Sequence, residues 1–247
     1  MNNLNKIKNL SLALLLIFFL TNCNPTYYIP STQNIPNIHS KSQGNLSLAG
    51  SSGQYELLAA YGVSSALAVQ LNARLIQPGD LDNGDGGSGK TLEAGLGYFK
   101  SINDQFVFDS YALLGFGTME NHFPSTLASN PNTTGEISAN LLKIGIQPSI
   151  SFIKKYFSIT ASTQVSNLNY NGISGSLIFD NTNQQDYLKG NNSQIFIEPA
   201  LTIKAGLPNI KFQIQLLKSL NASNSSFKQN DALLSFGLNY NMMKRSN

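Results

Sequence analysis

The sequence predicts an all-β chain: an antiparallel, up-and-down transmembrane β-barrel of about ten strands, with eight to twelve as the bounds. Three observations predict it. Some ten runs alternate apolar and polar residues, and alternate side chains of a strand face opposite sides. The connectors between these runs alternate between short and long. Charged residues make up only 12% of the chain, about half the ~25% usual for a soluble protein.

The first element is a leader. Lys6 and Lys8 precede the apolar stretch Leu10 to Leu20 (LSLALLLIFFL). This stretch is too short to span a bilayer as a helix and has the length of a secretory signal core. Cys23 follows it and is the only cysteine, so no disulfide framework exists. Leu20-Thr21-Asn22-Cys23 resembles a lipobox, with Asn22 where Gly, Ala or Ser is usual. The resemblance implies a signal peptide over residues 1–22, removal by lipoprotein-processing enzymes, and lipidation of Cys23. Acyl chains such as palmitate anchor strongly, at roughly 0.8 kcal/mol per buried CH₂. Loss of Lys6 and Lys8 leaves 14 of the 16 basic side chains against 13 acids. That near-neutral balance, with no Lys/Arg run, argues against nucleic acid as a partner.

Residues 23–43 are expected to be a lipid-anchored periplasmic tether. Pro25, Pro30 and Pro36 discourage regular structure, and the apolar positions have no period. Tyr27 and Tyr28 would suit the headgroup layer. The order Cys23, Tyr27-Tyr28-x-Pro30, Gln33-Asn34-x-Pro36 and then a barrel is similar to small lipid-anchored outer-membrane barrel proteins of the Bacteroidota type. The resemblance implies location and architecture, with no assigned chemistry.

The barrel itself is expected over residues 44–247. Strands are predicted at 44–50, 54–61, 64–76, 89–99, 105–117, 136–150, 154–167, 193–204, 209–219 and 231–242. Connectors 62–63, 100–104, 151–153 and 205–208 are short. Connectors 77–88, 118–135, 168–192 and 220–230 are long and polar, while 51–53 is short where a long one is expected. Outer-membrane barrels have short periplasmic turns and longer extracellular loops. An even strand count then predicts both termini in the periplasm, with outer-membrane lipid around the wall.

The run from Ser64 shows the two faces. Leu67, Val69, Leu71, Ala73 and Leu75 point one way; Ala68, Gln70, Asn72 and Arg74 point the other. Tyr61, Tyr98, Phe99, Phe106, Phe108, Phe152, Tyr156, Phe157 and Tyr240 fall at the short-turn ends, as an interfacial aromatic girdle requires. Tyr55, Phe116 and Phe123 would form a thinner outer girdle. In the last strand, Ser235, Gly237, Tyr240 and Met242 resemble the C-terminal β-signal. That resemblance implies recognition by the barrel-insertion machinery, through an amphipathic strand able to pair edge to edge.

The inward list holds Glu56, Glu93, Asp109 and Glu198 against Arg74, Lys143, Lys204 and Lys211. Four acids facing four bases predict a lumen of neutralising ion pairs, since unpaired charge in a confined interior is costly. A ten-stranded bore is narrow, because eight strands are just filled by side chains. Inward glycines, Gly97 among them, would let Tyr111 lie across the bore. Gly95-Leu96-Gly97 opens no helix, so it is not a dinucleotide loop.

No catalytic, cofactor or metal residue is assigned. His39 and His122 are the only imidazoles, and His122 near Ser125 is not a triad. Asp80-x-Asp82-x-x-Asp85-Gly86 lacks EF-hand spacing. The expected role is a structural or surface-interaction barrel lipoprotein acting through its loops. The alternatives are a narrow channel for polar solutes, a lipid- or peptide-processing enzyme, and a lipid-anchored periplasmic lipocalin-like binder. The lipocalin-like form would carry apolar side chains inward.

Overall fold

The computed structural model describes residues 25–77, 86–123 and 133–242. The leader, Cys23, the Asp80–Asp85 cluster, Ser125 and the tail after Met242 lie outside the described residues.

In chain order the elements are β1 (Gly44–Ser51), β2 (Gln54–Gly62), β3 (Leu67–Ile76), β4 (Gly86–Ser101), β5 (Phe106–Phe123), β6 (Gly135–Ile153), β7 (Phe157–Gly175), β8 (Ile178–Phe179), β9 (Thr182–Asn183), α1 (Gln184–Gly190), β10 (Ser193–Gly206), β11 (Ile210–Lys218), β12 (Leu220–Asn221) and β13 (Ala232–Met242). Ten of these strands form the barrel, each antiparallel to its neighbours. β10 pairs with β11, β11 with β13, and β13 with β1, from Gly44 opposite Met242 to Gly50 opposite Phe236. The sheet is therefore closed and has no open edge.

All ten predicted strands form, with shifted ends: β3 begins at Leu67 rather than 64, β6 takes in the connector expected at 151–153, and β7 begins at Phe157 rather than 154. β5 and β7 continue to Phe123 and Gly175, so the loops expected at 118–135 and 168–192 begin as sheet. The β5–β6 ladder runs to Phe123 opposite Gly135, because neighbouring strands supply the backbone partners there whatever the side chains are.

The wall is apolar outside and polar inside. Leu67, Val69, Leu71 and Leu75 are exposed outward, while Ala68 and Gln70 are buried inward. β11 repeats the pattern: Ile210, Phe212, Ile214 and Leu216 face out, and Lys211, Gln213 and Gln215 face in. A lipocalin-like barrel would have the opposite polarity, so that alternative falls. The girdle needs two corrections. Phe99, 2% exposed, turns inward against Ile38, Ala60, Ala68, Tyr111 and Leu113. Phe123 also turns inward, 6.0 Å from the Phe179 ring. At the short-turn end Phe106, Phe152 and Phe157 form a chain of rings at 5.2 and 5.9 Å. Gly97 lies under the Tyr111 ring, where a Cβ would collide with it.

Candidate functional site: the sealed lumen

The main correction concerns residues 25–43. They do not trail away as a tether; they descend through the bore. Tyr27 and Tyr28 are not in a headgroup layer but buried at the long-loop mouth. The Tyr28 ring stacks on Phe196 at 3.9 Å, its hydroxyl donates to Glu198 at 2.9 Å, and its carbonyl accepts from the Asn230 N–H. Further down, the Thr32 N–H reaches both Glu56 carboxylate oxygens at 3.0 Å. Gln33 accepts from Ser162 and exchanges two hydrogen bonds with Gln215, at 2.7 and 3.0 Å. Asn34 donates to Asn72 and to the Ala59 carbonyl, and its own carbonyl accepts from Gln147. Lys204 donates to the Ile35 carbonyl. Asn37 bonds Ser158 and Ser151 near the far end, and Ile38 packs under Phe99. Ser42, in the left-handed region at φ 64°, turns the chain up into β1.

The segment is irregular for the reason the prolines gave. Non-sheet backbone inside a barrel has no ladder partner, and Pro30 and Pro36 bring no N–H to satisfy. Wall side chains meet the remaining groups. Four of the eight charged residues, Glu56, Arg74, Glu198 and Lys204, serve this purpose. Lys143 and Glu93 form the one ion pair within 4 Å among these eight, at 3.5 Å. Arg74 donates to the Ile29 carbonyl at 2.7 Å and to Thr91. Asp109 accepts from Ser149 at 2.6 Å, and Glu198, 0% exposed, from Tyr28 and Ser219. Lys211 reaches toward the Lys154 carbonyl at 3.5 Å. The expectation of mutual neutralisation missed this, because it counted the wall alone.

Three layers result. At the long-loop mouth an aromatic cap gathers Tyr27, Tyr170, Leu188, Phe196 and Phe227. α1 holds part of the cap in place, with Asn183 capping its first turn through the Gln185 and Asp186 N–H groups. Lys228 sits 4.7 Å over Phe179 and 4.9 Å over Tyr187. Burial pushes its ammonium below the usual lysine value, and Asp180 pulls it partly back. Burial raises the Tyr187 phenol, partly offset by the Lys228 N–H it accepts. The middle layer is polar, and the lowest is the apolar contact of Ile38 with Phe99 and Tyr111. Between segment and wall remains a cavity of about 40 Å³ beside Thr32, Glu56, Arg74 and Lys143, room for a few waters.

His122 and Glu136 face each other at 3.6 Å on the exposed rim, 45% and 63% accessible. Among the described residues, no cluster of three His, Cys, Asp or Glu could hold a metal. In β13, Ser235 is buried inward, while Tyr240 and Met242 face outward. Tyr28, Thr32, Gln33, Asn34 and Asn37 were missed as functional residues. The inward rows of Gln and Ser in β6, β7 and β11 were the available signal, since such groups need partners.

No protein-family model and no curated protein matches the chain. Among solved structures it is similar to KdgM porin, at 10% identity and TM-score 0.36, covering 80% of this chain and 98% of that one. It is similar to LpxR from Salmonella typhimurium at 11% identity and TM-score 0.35, covering 82% of this chain and 100% of that one. It is also similar to an outer membrane channel from Pseudomonas putida F1 at 12% identity and TM-score 0.35, covering 86% and 98%. Likeness this remote says nothing about what the chain does.

Proposed function

We propose that the chain is an outer-membrane β-barrel sealed by its own N-terminal segment, a closed scaffold that holds its long loops at the cell surface for contact with partners. One observation carries the reading: an apolar exterior encloses a polar bore already filled by residues 25–38. The exterior needs hydrocarbon, because rows of exposed Leu, Ile and Phe around a closed barrel far exceed what a soluble monomer shows. The filled bore argues against a standing solute channel. Residues 1–22 act as the leader, Cys23 as the acylated residue, and Ser235, Gly237, Tyr240 and Met242 as the strand read by the insertion machinery.

Two measurements test this. The purified chain requires detergent and runs as a heat-modifiable band, compact when unheated and slower after boiling. In planar bilayers it gives no steady conductance. Solubility in plain buffer would overturn the membrane reading, and regular current steps the sealed one.

A further inference from the structure

The direction of the threaded segment determines where the chain begins. We infer that the protein threads its barrel from outside to inside, so that its mature N-terminus is displayed on the outer face and acyl chains on Cys23 enter the outer leaflet. This rests on the reading that the long loops face outward.

The path has one direction. Asn121, near the outer end of β5, exchanges hydrogen bonds with the Thr26 backbone. The Tyr27 N–H donates to the Lys228 carbonyl in the long loop before β13. Contacts then pass down the wall, from Glu56 to Gln215, Lys204 and Ser158, until Ser42 meets the Gly62 carbonyl beside a short turn. Met242 lies at that same lower mouth, opposite Gly44. The first and last described residues therefore lie at opposite mouths. The proposal therefore departs from the expectation that both termini share the periplasm.

Chain length then fixes the membrane face that an anchor can reach. Cys23 is two steps along the chain from Pro25, and an extended chain covers at most ~3.6 Å per step, so about 7 Å in all. The apolar band is ~25 Å tall. An acyl chain at Cys23 cannot reach the inner leaflet around the wall. It cannot pass back through a bore already occupied by residues 25–38. The outer leaflet is the lipid within reach.

The test uses full-length protein in intact cells with three reporters. A peptide tag with a protease site is inserted between Asn24 and Pro25. Ser225→Cys marks the loop before β13, and Asp104→Cys marks a short turn. Thiols are read with an impermeant maleimide, against the parent chain. Expected is cleavage of the tag and labelling of Ser225→Cys in intact cells, with Asp104→Cys labelled only after the outer membrane is permeabilised. A tag protected while Ser225→Cys labels would overturn the threading direction and leave the barrel's orientation standing. Protection of Ser225→Cys with labelling of Asp104→Cys would overturn both. The heat-modifiable band of the tagged chain shows that it has folded.

Discussion

Gln215 accepts from the Gln33 N–H, donates to the Gln33 carbonyl and donates to Thr202. Gln215→Ala removes both partners of one buried backbone unit. Each unpaired buried group costs about 1–3 kcal/mol. The temperature at which the folded band gives way on heating should fall accordingly. Gly97→Ala acts differently, driving a methyl into the Tyr111 ring, and overpacking of this kind costs about 1–3 kcal/mol. It should lower the same temperature without leaving any polar group unpaired. The inward glycine and Tyr111 were legible in the sequence, because alternation places both on one face. Gln33 was not: a single-stranded segment has no face, so nothing in its own residues says whether it is wet or buried. Phe99 and Phe123 were misplaced for a related reason. Aromatics at strand ends fit a lipid girdle or an apolar plug equally, and only the neighbouring Ile38 or Phe179 decides.

At the scale of elements, strand identity followed from period-two alternation, and the wall's two faces came out as read. Strand ends did not. β7 extends to Gly175 because backbone pairing outlasts the hydrophobic signal that marks the membrane-facing part. The charged residues face inward as read, but the partners of Glu56, Arg74, Glu198 and Lys204 were not foreseen, since they belong to an element with no pattern of its own. A wall facing hydrocarbon makes a definite demand on Leu71, which is 50% exposed midway along β3. Leu71→Lys should cost about 2–4 kcal/mol in urea titrations of the barrel folded into liposomes. A wall facing water would barely register the change.

For the whole molecule, the sealed bore predicts a difference between two chains. Full-length protein should give no current steps in planar bilayers. A chain lacking residues 25–38 loses the contacts to Glu56, Gln215, Gln147 and Lys204 and should give steady steps, provided its heat-modifiable band shows closure. Equal silence from both would mean that wall side chains alone block the bore.

β1 follows the threaded segment directly and is also one side of the seam that closes the cylinder. The molecule is thus a hoop strung on its own head, and once the hoop is shut that head can enter only lengthwise, through a bore lined with polar side chains. Folding has a shorter route than that: residues 25–38 lie across the curling sheet first, and its two chain-distant margins then zip together around them.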